Sequence, residues 1–183
     1  MIAGRYCMEI ATALEFLHSR AIVHCDIRSD SISLAQSASG TVNALVVDNF
    51  YLSKKDRLFE LCGAKGMNPD FVNAIFAVPP ENRKQRQPYT PSGDVFAFGM
   101  VLFELLSLQV PYSELPAEAK EAAIANGQVP NLPEYFLELR RAHGLPKEED
   151  KQLAKQYNNL IDLMEDCLNV DAAKRPNIKK ILK

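Results

Sequence analysis

Residues 93–108 read GDVFAFGMVLFELLSL, and this stretch decides what kind of fold the chain forms. Its apolar residues cover nearly the whole circumference of a helix, and Asp94 lies close to the first turn. A helix that is apolar on almost every side is covered by neighbouring elements on most of them. We therefore expect this helix to lie at the centre of the domain.

The segments on either side predict further helices and one β-hairpin. From Tyr6 to His18 the apolar residues recur at helical spacing and form one stripe. Two short strand-like runs flank a turn at Ser39-Gly40, which is typical of a hairpin. Further helical signals follow Pro116 and Pro176. The remaining predicted segments are the strands at 32–34 and 42–47, a helix at 116–126, two solvated helices with a break within 134–156, and an amphipathic helix at 157–168. The sequence thus predicts a mainly α domain.

Composition excludes several classes of protein. The 183 residues fit a single domain, and the formal net charge of −2 gives no basic surplus for nucleic acid or an anionic membrane. No apolar run approaches the roughly 18 residues that a membrane span needs. The four cysteines lie far apart without the spacing of a zinc site, which favours free thiols in a reducing compartment. We expect a cytoplasmic protein.

Residues 22–34, IVHCDIRSDSISL, follow directly after the first predicted helix. The stretch is too polar for a buried strand and too apolar at its ends for a disordered linker. It therefore predicts a loop that holds Asp26 in a fixed place. From the residues alone, Asp26 either performs chemistry or caps a nearby turn.

The order of these motifs resembles the C-terminal lobe of a eukaryotic protein kinase. Residues 9–27 resemble the helix that leads into the family's catalytic loop, and VVDNFYLS at 46–53 stands where the D-F-G motif would be. AVPPE at 77–81 stands for A-P-E, and residues 92–112 and 171–182 resemble later helices of that lobe. No glycine-rich loop or V-A-I-K lysine precedes them, so we expect residues 1–183 to form a partial domain without the small N-terminal lobe. The finer resemblance is to the Ser/Thr or tyrosine-kinase-like group.

The resemblance implies roles for three residues of the loop. Asp26 stands at the catalytic aspartate that accepts the proton of the substrate hydroxyl. Arg28 stands where the family often has a lysine or arginine close to the transferred phosphate, although an ordinary exposed arginine is the alternative. His24 is implied as a structural histidine beneath the loop.

The residues implied to bind ATP and magnesium depart from the family pattern. Ser31 replaces an asparagine that binds the second magnesium, and a serine hydroxyl is a poorer ligand. Asp48 stands at the magnesium-binding aspartate of D-F-G, but Asn49 follows it in place of phenylalanine. Cys25 replaces an arginine that holds a phosphate on the activation loop, and between Asp48 and Glu81 the only hydroxyls are Tyr51 and Ser53. We expect weak metal binding and no switching by loop phosphorylation.

Three residues resemble the family's architectural positions. Glu81 and Arg175 are implied as a buried ion pair, a task that suits a planar guanidinium. Asp94 is implied to accept backbone N–H bonds from the catalytic loop. We expect this scaffold to be intact even where the chemistry has eroded.

Two functions remain open at this stage. The chain is either part of a kinase that transfers the ATP γ-phosphate to protein hydroxyls, serine or threonine rather than tyrosine, or a pseudokinase that binds or scaffolds other proteins. Either reading implies a protein substrate or partner, with neither nucleic acid nor membrane. As the chain stands, we expect little catalysis.

Overall fold

In the computed structural model, the described residues are 2–36, 42–47, 54–55, 78–84, 89–134 and 148–183. They are mainly helical, as the sequence predicts. The helices are α1 (Ile2–His18), α2 (Pro80–Lys84), α3 (Pro91–Ser107), α4 (Ala117–Ala125), α5 (Glu148–Cys167) and α6 (Ile178–Ile181). The strands are β1 (Ile22–Val23), β2 (Ile32–Gln36), β3 (Val42–Val47) and β4 (Lys54–Lys55). Within these ranges, no helix is both long and apolar enough to cross a membrane.

The core is built around α3, which confirms the expectation drawn from its apolar circumference. Most of its side chains are buried, and it packs against both α1 and α5. Gly99 makes the second contact close, because a Cβ atom there would lie 2.9 Å from Cys167 Cβ and 2.9 Å from Leu168 Cδ2. The helix ends at Leu108, whose φ of 55° is left-handed and whose N–H donates to the Glu104 carbonyl.

Helix α1 presents its predicted apolar stripe to this core. Its buried positions recur at helical spacing and comprise Cys7, Ile10, Ala11, Leu14 and Leu17. The helix starts at Ile2, four residues before the predicted Tyr6, and ends at His18 as predicted. Ala21, at φ 56°, then turns the chain into β1. The end of α1 therefore leads directly into the loop that carries Asp26.

The predicted hairpin is present as an antiparallel pair of β2 and β3. Ile32 pairs with Val47 and Leu34 with Leu45, and the register shifts between Ala35 and Gln36. A second antiparallel pair, β1 with β4, was missed because two-residue strands carry no usable periodicity. This second pair fixes the start of the loop, since β1 ends at Val23.

The C-terminal helices differ from the prediction at one point. Helix α5 runs without interruption from Glu148 to Cys167, whereas the sequence predicted separate helices over 134–156 and 157–168. Its apolar residues fall on one side throughout, so a single helix buries them together. Helix α4 follows Pro116, and Gly127 has the left-handed φ of 73° at its end, as proline before and glycine after a helix predict.

Candidate active site

Asp94 anchors the loop between β1 and β2. It lies in the first turn of α3 and is 0% exposed. Its Oδ2 accepts a hydrogen bond from the His24 N–H at 2.8 Å, and its Oδ1 accepts one from the Cys25 N–H at 2.9 Å. A buried carboxylate is tolerated when such donors satisfy it. The central helix thereby fixes the backbone directly before Asp26.

His18 is a further partner of Asp94 that sequence reasoning missed. Its Nε2 lies 2.9 Å from Asp94 Oδ2. The side chain comes from the last turn of α1, so one carboxylate joins α1, α3 and the loop. A signal was available, because His18 falls four residues after Leu14, on the buried stripe of the helix.

The loop itself has an unusual backbone at Cys25. Its φ of 67° is left-handed, a conformation in which non-glycine residues cost free energy. The two adjacent N–H bonds to Asp94 hold this conformation. His24 is fully buried, and the Asp26 N–H donates to His24 Nδ1 at 3.2 Å. Since Nδ1 accepts, the proton of a neutral His24 ring lies on Nε2.

Asp26 is the acid that the loop presents. It is 7% exposed, and Arg28 Nε lies 3.3 Å from its Oδ1. Burial raises the pKa of Asp26, while the positive charge of Arg28 and then His24 oppose the rise. Asp30 adds a smaller contribution in the raising direction. A carboxylate with a raised pKa in a fixed position is better suited to accept a proton than a fully solvated one.

Arg28 lies between two acids and is not fully satisfied by either. Its Nη1 is 3.5 Å from Asp30 Oδ2, and Asp30 is 75% exposed on its side chain, so solvent weakens that contact. Although Arg28 Nε is close to Asp26, the geometry does not make a hydrogen bond, and Nε is buried without a partner. The loop thus holds a cationic donor that an anionic oxygen would satisfy.

Ser31 makes its hydrogen bonds within the loop. Its hydroxyl is fully buried, donates to the Arg28 carbonyl at 2.8 Å and accepts from the Arg28 N–H at 3.0 Å. Ser31 thereby closes the turn of Ser29–Ser31 on itself. Only one lone pair of Oγ remains for any other partner.

Glu104 borders the same turn from the far end of α3. Burial raises the pKa of Glu104, and a hydrogen bond with the Ser29 side chain partly offsets the rise. Sequence reasoning treated residues 93–108 as a helix that is apolar on nearly every side, singled out only Asp94, and missed this second acid. Its polarity at an otherwise apolar position was the signal.

Glu81 and Arg175 form a bidentate ion pair. Arg175 Nη1 and Nη2 donate to Glu81 Oε1 and Oε2 at 2.7 and 2.8 Å. The guanidinium also donates to the carbonyls of Asn169 at 2.7 Å and Ser92 at 3.1 Å, and it stacks 4.8 Å from the centre of the Phe96 ring. The pair thus ties α2, α3 and the segment before α6 together.

One predicted site residue cannot be compared with the others. Asp48, expected to bind magnesium, lies outside the described residues, together with Asn49 and Cys62. Among the described cysteines, Cys7, Cys25 and Cys167 are free thiols. The segments that the structure describes contain no group of three or more histidine, cysteine or acidic residues arranged to hold a metal.

The arrangement of a buried helical aspartate, an anchored H-x-D loop and a buried Glu–Arg pair defines a protein kinase large lobe. The sequence model of the family described as 'Protein kinase domain' matches residues 2–183. The chain therefore belongs to the eukaryotic protein kinase family.

Curated relatives agree with this family. The chain is 31% identical over 184 residues to probable serine/threonine-protein kinase roco6 of Dictyostelium discoideum, covering 98% of this chain and 8% of that protein. It is 27% identical over 177 residues to mitogen-activated protein kinase kinase kinase 1a of Physcomitrium patens, covering 97% and 19%. It is 22% identical over 175 residues to the Raf homolog serine/threonine-protein kinase of Caenorhabditis elegans, covering 95% and 19%. The chain spans at most 19% of the length of these relatives.

Proposed function

We propose that residues 1–183 are the large lobe of a kinase domain that transfers the γ-phosphate of ATP to serine or threonine hydroxyls of proteins. The observation that carries the proposal is Asp26, 7% exposed and directly after two backbone N–H groups held by Asp94. Catalysis in this reaction is mostly positioning and electrostatics, and this loop provides both. Two of the relatives described above are named as serine/threonine-protein kinases, which supports serine and threonine over tyrosine.

In this proposal, Asp26 accepts a hydrogen bond from the substrate hydroxyl, orients it, and receives its proton. Its raised pKa brings its basicity closer to that useful near neutral pH. Arg28 keeps Asp26 ionised through their 3.3 Å contact and supplies positive charge beside the reacting oxygen. The Asp94 carboxylate performs no chemistry and holds the loop.

The residues present suit a phosphate group better than they suit a second metal ion. The buried, unpartnered Nε of Arg28 matches an anionic phosphate oxygen. Ser31 matches magnesium poorly, because its hydroxyl already makes two hydrogen bonds to Arg28. When bound, ATP supplies the phosphoryl group and magnesium neutralises its charge. Asp48 is the other residue that we propose for magnesium.

A second candidate function is a pseudokinase that binds or scaffolds proteins. The occupied hydroxyl of Ser31 favours it, because the loop can keep its shape without any metal. Cys25 favours it too, since a thiol at this position cannot hold an activation-loop phosphate. Both candidate functions require the same backbone scaffold. They differ in whether the side chains of the loop carry out phosphate transfer.

The deciding experiment joins the chain to the small lobe of an active protein kinase and measures phosphate transfer to a generic protein substrate. Asp26→Asn should abolish transfer, with a loss of about 10²–10⁴-fold for a positioned acid–base group. Asp30→Asn is the matched control, because Asp30 is an exposed neighbour with a single weak contact to Arg28. Ser31→Asn should raise the rate, since it returns an amide oxygen for a metal.

The outcomes separate the two functions. If Asp26→Asn retains the parent rate, Asp26 is not the catalytic acceptor. If the joined protein stays inactive, even with Ser31→Asn, the scaffolding function is favoured. Both conclusions require that the joined protein is folded, which its cooperative melting would show.

A binding measurement on the chain alone supplies independent evidence. Arg28 and Asp26 offer one wall for a nucleotide, so we expect only weak binding of MgATP. The melting temperature should rise by no more than about 1 °C at millimolar MgATP, since stabilisation follows ligand concentration relative to Kd. A magnesium-dependent rise of several degrees would contradict the weak metal site that we propose at Ser31.

A further inference from the structure

A groove lies on the side of the domain where α1 ends and α6 begins. Its volume is about 340 Å³, within the usual range of small-molecule sites. Val95 and Ile178, both buried, and two prolines give it apolar walls. Its lining also includes polar side chains, which are Glu15, Ser19, Ser92, Arg175, Asn177 and Lys179. The groove is separate from Asp26, Arg28 and Ser31, none of which lines it.

One ring nitrogen of His18, Nδ1, is a polar atom of this groove that makes no hydrogen bond to the described residues. The side chain is 10% exposed and lines the groove, while its Nε2 binds the buried Asp94. Among the residues that the structure describes, His18 Nδ1 has no hydrogen-bond partner. In the described residues, the buried side-chain atoms without a hydrogen-bond partner are Arg28 Nε and Asn158 Oδ1. Because His18 Nδ1 has no partner and is not one of these buried atoms, it is accessible to solvent.

The contact with Asp94 decides what His18 Nδ1 offers. A carboxylate only accepts hydrogen bonds, and Asp94 already accepts from the N–H groups of His24 and Cys25. His18 Nε2 therefore carries the proton in its 2.9 Å contact with Asp94. In the neutral ring, Nδ1 is then an acceptor that lines the groove, and no donor of the described residues is bonded to it.

We propose that this groove binds a small apolar molecule carrying one hydroxyl or amide N–H donor, which donates to His18 Nδ1. The apolar walls take up the body of the ligand and the ring nitrogen fixes its orientation. Apolar lining with one or two placed polar groups is the usual composition of such sites.

The same imidazole connects the groove to the catalytic loop. A donor on Nδ1 polarises the ring and strengthens the Nε2–H bond to Asp94. Asp94 in turn holds the N–H groups of His24 and Cys25. A ligand in the groove therefore changes the hydrogen bonds that hold the backbone beside Asp26. Through these bonds the site can regulate the loop.

Phenol and toluene form a matched pair of probes, because they share an aromatic body and differ in the donor. With the whole ¹⁵N-labelled chain at about pH 8, where imidazole is neutral, phenol should give saturable shifts of the His18 ring nitrogens. A Kd of about 1 mM is typical of a good ligand of this size. Toluene should bind at least about tenfold more weakly. Phenol should also shift the backbone amide signals of His24 and Cys25.

Two variants locate the binding. Lys179→Trp places a large ring over the groove and should weaken phenol binding, whereas Lys180→Trp, an exposed neighbour that does not line the groove, should leave it unchanged. Equal binding of phenol and toluene, or equal effects of the two variants, would overturn the proposal. No phosphate transfer is measured, so the result is independent of the proposed kinase activity.

Discussion

Arg175→Ala should be among the most damaging single substitutions in this protein. The guanidinium is fully buried, holds both oxygens of Glu81, and donates to the carbonyls of Asn169 and Ser92. Alanine removes every one of these donors. It leaves a mostly buried carboxylate and two carbonyls without their charged partner.

The expected loss follows from these contacts. Breaking a buried ion pair by deleting one partner costs about 3–5 kcal/mol, because the remaining charge stays desolvated. The free-energy contributions of contacts within one network do not simply add. The lost hydrogen bonds to the two carbonyls therefore bring the expected loss only to the middle of that range, at about 4 kcal/mol. For a domain of this size, about 4 kcal/mol lowers the melting temperature by about 8–16 °C.

Urea denaturation followed by circular dichroism, with thermal melting as a second measure, tests this value. Arg175→Lys is the matched variant, since it keeps the charge but loses the planar fork and should recover only part of the loss. Asp26→Asn is the control, because we propose Asp26 for chemistry rather than for stability, and its melting temperature should lie within about 2 °C of the parent.

A double-mutant cycle with Glu81→Ala measures the coupling free energy between Arg175 and Glu81. If the pair is buried and coupled, the double variant should be less destabilised than the sum of the two single variants by at least about 1 kcal/mol. A loss below about 1 kcal/mol for Arg175→Ala, or simple additivity in the cycle, would mean that solvent screens the pair.

Four further substitutions test the core, helix α1, the anchor and the loop. Gly99→Ala should lower stability by about 1–2 kcal/mol, since the new methyl group lies 2.9 Å from Leu168. By contrast, Gly4→Ala, with nothing within 4 Å, should raise stability by about 0.5–1 kcal/mol in the same denaturation assay. Asp94→Asn should cost about 1–3 kcal/mol and speed amide hydrogen exchange in the loop, because one N–H then faces an amide group. For Asp26, burial raises the folded pKa above its ordinary value of 3.8, so its stabilisation is present below that pH and lost as pH rises through the folded pKa. Asp26→Asn should therefore melt with the parent at about pH 3 and slightly above it at about pH 7.

The sequence was most informative where burial repeats with a clear period. The central helix and the stripe of α1 follow from side-chain pattern alone, and both are present within a few residues of the predicted bounds. The separation expected between a helix ending at residue 156 and another over 157–168 was wrong, because charged residues on the solvent face of α5 concealed the continuity of its buried face. The break expected around His143-Gly144-Leu145-Pro146 lies outside the described residues. The strands β1 and β4 are too short to carry a period of their own.

The site could be predicted to the level of residue positions but not to the level of contacts. Asp26, Arg28 and Ser31 lie together in one loop because they are close in sequence, and Asp94 reaches that loop as the resemblance implies. The contact of His18 with Asp94 depends on how two helices cross, and no local pattern encodes that crossing. The internal hydrogen bonds of Ser31 depend likewise on the turn geometry.

Loop geometry and loop chemistry are separable in this protein because they use different atoms. Asp94 holds the loop through backbone N–H groups, which every residue except proline possesses, so an arginine or a cysteine at position 25 is anchored equally well. In the proposed kinase function, proton transfer and metal binding instead require particular side chains at positions 26 and 31. An intact scaffold is therefore compatible with either an active kinase or a scaffolding domain. Substitutions at Asp26 and Ser31, rather than measurements of stability, are the changes that distinguish the two functions.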